Sequence, residues 1–84
     1  MKSTFTDAYA LLLESLIALR KAKGVTQVEL SKKLSKRQSF ISNIERGVRR
    51  IDLIEFYAFV RALGGDPEEE FAALVKRLPK KVKI

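Results

Sequence analysis

Two four-residue strings, Thr26–Glu29 ("TQVE") and Asp52–Glu55 ("DLIE"), repeat one piece of chemistry at two places in the chain. Each pairs a short oxygen-bearing side chain with a glutamate three residues on. That combination satisfies two free backbone N–H groups at once and starts a helix abruptly. An apolar residue precedes each cap, Val25 and Ile51, and can staple onto Leu30 and Phe56 respectively. The stops are equally sharp. Gly24, Gly47 and Gly64 each follow a run of apolar residues at helical spacing, where glycine accepts the left-handed turn that ends a helix. A chain punctuated this often folds only as short helices with tight connections.

The punctuation delimits five helical segments. The first runs from about Thr6 to Lys23, with Tyr9, Leu12, Leu16 and Leu19 near a four-residue spacing and Leu13 and Ile17 broadening the stripe. The second starts at Thr26 and buries Leu30 and Leu34. The third spans about Gln38 to Arg46 on an apolar seam of Phe40, Ile41 and Ile44. The fourth begins at Asp52 and offers Leu53, Phe56, Tyr57, Val60 and Leu63 to the core. The fifth opens with Asp66 as cap and Pro67 at its first position, carries Phe71, Leu74, Val75 and Leu78 at i, i+3, i+4 and i+7, and stops before Pro79. The expectation is an all-α, compact five-helix domain.

Eighty-four residues support a single domain with a modest core. Cysteine and histidine are both absent, which removes disulfides, thiolate metal sites and the commonest general base at neutral pH. The acidic residues form no cluster, so neither an enzyme nor a cofactor or metal protein is expected. The apolar stretch "AYALLLESLIAL" is interrupted by Glu14 and is too short to span a bilayer. No leader with a cleavage site opens the chain, so no membrane partner and a cytoplasmic location are expected.

The net charge of +7 is distributed unevenly. Residues 20–50 hold ten basic and two acidic side chains, while the remainder holds seven basic and eight acidic. A positive charge concentrated in the middle of the chain suits a polyanionic partner. The third segment lies in that region and has an unusual outer face. Gln38, Ser39, Ser42, Asn43 and Arg46 all fall away from its apolar seam, and Glu45 sits at the boundary nearer the apolar side. Two short helices joined by a turn of a few residues cross steeply, so the second can project from the body. Such a helix fits the major groove of double-stranded DNA, where Gln and Asn match adenine edges, serine contacts bases or phosphates, and arginine pairs with phosphate.

From Leu16 to Leu63 the chain resembles the lambdoid phage repressor and Cro type of helix-turn-helix, the XRE family. The matching strings are "LIALRKAKGVTQVEL", "QSFISNIERG" and "RRIDLIEFYAFVRALGGDP". The helical segments make residues 1–79 one domain and leave residues 80–84 as a basic tail, and the resemblance places a helix-turn-helix motif at about 26–46 within it. It implies that Gln38, Ser39, Ser42 and Asn43 contact bases. Gln27 would touch the phosphate backbone and brace the recognition helix. Arg46, Arg49 and Arg50 would grip phosphate. Arg20 and Glu45 match a partly buried ion pair that ties the first helix to the third.

Three positions depart from the family pattern: Ser35 stands where glycine is usual in the turn, Ser31 where a small alanine is usual, and Arg37, a further candidate phosphate contact, where serine, threonine or proline often precedes the recognition helix. Ser35 with Gln38 could form a capping box that starts the third helix early.

A domain this small covers little DNA alone, and symmetric pairs reading half-sites about one helical turn apart are the usual solution. The Phe71, Leu74, Val75 and Leu78 stripe has two uses open to it, the chain's own core or a homodimer interface. The expected function is a sequence-specific, homodimeric regulator, most simply a repressor, with no small-molecule effector evident. The alternative is an antitoxin or adaptor that uses the same fold to bind a partner protein, and a restriction–modification controller is a variant of the first reading.

Overall fold

The computed structural model describes residues 6–84; residues 1–5, the start of the expected domain, lie outside the described residues. Over that span the chain forms α1 (Asp7–Ala22), α2 (Gln27–Lys33), α3 (Gln38–Glu45), α4 (Leu53–Ala62) and α5 (Pro67–Arg77), with no strand among the described residues. None of these helices is long and apolar enough to cross a membrane.

The caps are built as the sequence chemistry dictates. The Thr6 hydroxyl accepts from the Tyr9 N–H at 3.2 Å and starts α1. Thr26 with Glu29 and Asp52 with Glu55 form complete reciprocal boxes at α2 and α4, with bonds of 2.7–3.0 Å. Asp66 caps α5 through the Glu68 N–H at 3.0 Å, with Pro67 in the first turn. Helix α3 differs. Its cap is Arg37, which makes no side-chain capping bond, and no box forms between Ser35 and Gln38. The Gln38 amide is engaged elsewhere, as described below.

Helices α1 to α4 all end in the same double hydrogen-bonded turn. In α2 the Lys36 N–H reaches the Ser31 carbonyl at 2.9 Å and the Ser35 N–H reaches Lys32 at 3.1 Å. Equivalent pairs close the ends of α1, α3 and α4 around Gly24, Gly47 and Gly64, all at positive φ. Ser35 takes that role after α2 at φ 55°, the non-glycine residue with positive φ among those described. A left-handed L-residue costs roughly 1–2 kcal/mol. Glycine removes that cost but gives back about 0.4–1 kcal/mol in unfolded-state entropy. Ser35→Gly is therefore expected to raise Tm by about 2–6 °C in calorimetry. An unchanged or lower Tm would mean the serine side chain compensates the strain.

The core gathers Tyr9, Leu13 and Leu16 from α1, Leu30 from α2, Ile41 and Ile44 from α3, and Phe56, Phe59, Val60 and Leu63 around α4. Leu30, Ile41 and Ile44 are completely buried, and each such side chain contributes about 1.5–3 kcal/mol on removal from water. These three side chains seat the α2–α3 pair on the rest of the domain. The Tyr9 hydroxyl accepts from the Ile51 N–H at 3.0 Å, pinning the α3–α4 connector to α1.

Helix α4 corrects the sequence expectation. Leu53 and Tyr57 face solvent at 72 % and 54 % exposure, and Phe59, left out of the expected stripe, is buried at 1 %. Apolar residues surround this helix, so spacing alone did not choose its inner face. In α5, Leu74 belongs to the chain's own interior, Leu78 is half-buried, and Phe71 and Val75 are about half exposed.

Candidate nucleic-acid interface

Helix α3 turns Ile41 and Ile44 inward, which leaves its other side outward. Gln38, Ser39 and Arg46 are exposed there, with Ser42 and Asn43 half-buried beside them. The outer face carries no carboxylate, because Glu45 points toward α1.

Glu45 and Arg20 form a paired contact, Nε to Oε2 at 2.6 Å and Nη2 to Oε1 at 3.0 Å. Their side chains are only 6 % and 10 % exposed. The remaining arm of Arg20 donates to the Val25 carbonyl at 2.9 Å. One guanidinium thus ties α1, the turn before α2, and the end of α3.

A chain of amides continues from this pair to the surface. Gln27 Nε2 donates to Glu45 Oε1 at 2.9 Å, and Gln38 Nε2 donates to Gln27 Oε1 at 2.9 Å. The direction is chemically forced. A carboxylate only accepts, so Gln27 must present its NH2 inward and its oxygen outward, where it meets the NH2 of Gln38. Gln38 is left with its own oxygen and one N–H, the combination that matches the major-groove edge of adenine. Gln27 thus braces α3 directly.

The basic residues divide by partner. Arg49 makes a two-pronged contact with Glu55, at 3.0 and 2.9 Å, and also donates to the Arg50 carbonyl. Its guanidinium lies 4.7 Å from the centre of the Phe40 ring, and Lys36 Nζ lies 5.1 Å from the same ring. Arg49 and the Asp52 N–H hold the Glu55 carboxyl below the usual carboxylate range, and the same contact raises the Arg49 guanidinium. Arg50 stacks over Tyr9 at 4.1 Å. Arg46 Nη2 donates to Asn43 Oδ1 at 2.7 Å. Arg37 is exposed at the front of α3.

By sequence, Phe40 is a packing residue and Glu55 a local helix cap. Both roles hold, and through Arg49 the two residues also join the outer face of α3 to the start of α4. The D-x-x-E string was a signal for Glu55, but not for its second partner.

Away from α3, Leu53, Ile54, Tyr57 and Phe71 form an apolar surface between α4 and α5, each about half or more exposed. Phe71 packs edge-on against Phe56 with ring centres 6.3 Å apart. Among the described residues no cluster of acids, cysteines or histidines could hold a metal ion.

The helix-turn-helix family HTH_3 matches residues 16–69, covering α2, α3 and their turn and most of the core. An XRE-family like protein from Pseudomonas syringae pv. tomato str. DC3000 is similar in structure with a TM-score of 0.82. It is 42% identical in sequence, over 86% of this chain and 88% of that one. The clp gene regulator ClgR from C. glutamicum shares the fold at a TM-score of 0.74 and 21% identity, over 92% of this chain and 100% of that one. No curated protein sequence matches significantly. With its family match spanning well over half the chain, the protein belongs to the XRE-type helix-turn-helix family and is a non-enzymatic, DNA-binding transcription regulator.

Proposed function

We propose that the protein is a sequence-specific repressor that binds a palindromic operator as a homodimer, each protomer laying α3 in the major groove. The observation that carries this reading is the acid-free outer face of α3, with Gln38 oriented by Gln27, Glu45 and Arg20. Gln38, Ser39, Ser42 and Asn43 read base edges, Arg37, Arg46 and Arg50 approach phosphates, and Gln27 and Arg49, already paired within the chain, support them from behind. Repression follows from occupancy of the operator, in the cytoplasm where the DNA lies. The exposed apolar surface of α4 and α5 supports pairing of protomers, with Phe71 and Val75 as its α5 contribution, since Leu74 is already used internally.

Selection of bound sequences from random DNA tests the whole reading. The expected motif is palindromic, with half-site centres about 10–10.5 bp apart or a multiple of that. Gln38→Ala and Ser39→Ala should each lower the ratio of specific to non-specific affinity, by about 10–100-fold where a paired contact is lost. Arg37→Ala and Arg50→Ala should weaken all sequences alike. Equal losses across sequences in all four variants would overturn the recognition assignment. A protein that stays monomeric on its operator would leave the α4–α5 surface to a different protein partner, the antitoxin or adaptor reading.

A further inference from the structure

Asn43 is held more tightly than a surface asparagine need be. Its main-chain carbonyl accepts from both the Val48 and Arg49 N–H groups, at 2.9 and 3.1 Å, which fixes the residue at the junction of α3 and the following loop. Its side-chain oxygen accepts from Arg46 at 2.7 Å. A guanidinium has donors only, so this contact dictates which half of the amide faces Arg46. The oxygen is engaged along the helix, and the NH2 is the half that remains. No described residue takes its two protons.

An asparagine with both halves available reads adenine, donating to N7 and accepting from the N6 amino group. Asn43 as held can only donate. Guanine offers two acceptors, O6 and N7, and thymine offers O4, whereas adenine and cytosine each present an amino group that would be left without an acceptor. The neighbouring positive charge also polarises the amide and strengthens its donors. Arg46 has further N–H groups for a phosphate, so it can grip the backbone and hold Asn43 together.

Resting on the groove reading above, we propose that Arg46 is a positioning residue that turns Asn43 into a donor-only reader, so that the protein selects guanine or thymine over adenine at the base pair facing Asn43.

The test is selection from random DNA with the full chain and three variants: Asn43→Ala, Arg46→Met and Arg46→Lys. Asn43→Ala identifies the position, because the preference there flattens while the Gln38-dependent positions persist. The unaltered protein should favour guanine or thymine over adenine at that position by about five- to tenfold. Arg46→Met keeps the aliphatic stem and removes the donors, and should raise adenine there to at least parity. Arg46→Lys keeps a donor and should retain the original preference. Loss of a phosphate contact alone would lower affinity for every sequence without changing the chosen base. Adenine or cytosine selected by the unaltered protein, or an unchanged preference in Arg46→Met, overturns this inference and leaves the groove reading intact. A motif indifferent to Asn43→Ala does the same. The absence of any selected motif overturns the groove reading and this inference with it.

Discussion

Glu45→Ala is expected to lower unfolding free energy by about 3–5 kcal/mol, because it leaves a buried guanidinium without its counter-charge. Arg20 is 9 % exposed, so little water can replace the lost carboxylate. Its bond to the Val25 carbonyl neutralises no charge. For a domain of this size that loss is a large fraction of total stability. Urea titration followed by circular dichroism reads the effect directly. The double variant Arg20→Met, Glu45→Leu should recover most of the loss, since a well-packed apolar pair of similar size substitutes for a buried ion pair at little cost. A loss below about 1 kcal/mol in the single variant would be the value of a solvent-screened surface pair and would contradict the burial of Arg20 and Glu45. The double variant also separates stability from reading. It restores folding without restoring the acceptor that orients Gln27, so it should still read poorly at the base facing Gln38.

Affinity for operator DNA should fall about 10³–10⁵-fold between 50 and 200 mM salt, if the dimer makes the 6–10 phosphate contacts that its arginines support. Arg37→Ala and Arg50→Ala should each reduce the slope of log affinity against log salt by about one for every phosphate contact removed. Arg49→Ala should change the slope least among the arginine variants. Its guanidinium already faces the Glu55 carboxylate at 2.9–3.0 Å, so it releases fewer counterions. Its loss should show instead as altered packing of Phe40 between α3 and α4. A full unit of slope lost in Arg49→Ala would mean that Arg49 leaves Glu55 for a phosphate when DNA binds.

Helix boundaries were legible in the sequence because caps and glycine stops are local chemistry. Thr26 with Glu29 and Asp52 with Glu55 act within one turn of backbone, so no distant contact can reassign them. The inner face of α4 was not legible. With Leu53, Ile54, Phe56, Tyr57, Phe59 and Val60 in one short helix, several faces are apolar, and only the packing of α4 against α1, α2 and α5 makes Phe59 the buried residue. The polar face of α3 could be read from spacing, but its wiring could not. Whether Gln38 pairs with Ser35 or with Gln27 depends on how α2 and α3 cross, which places residues 27 and 38 within hydrogen-bonding distance. Arg49 is the same kind of case, a cation whose partner lies across a loop.

The amide chain from Arg20 to Gln38 bears on how specificity in such a protein can change. On the proposed reading, the surface amide of Gln38 takes its orientation from Gln27, Glu45 and Arg20 behind it. Substitutions at Gln27 or Glu45 could therefore re-aim Gln38 and alter the preferred base while every groove-facing residue stays the same. Two proteins with identical recognition helices and different residues at these supporting positions need not share an operator, and a recognition code written only from the groove-facing residues of α3 would be incomplete.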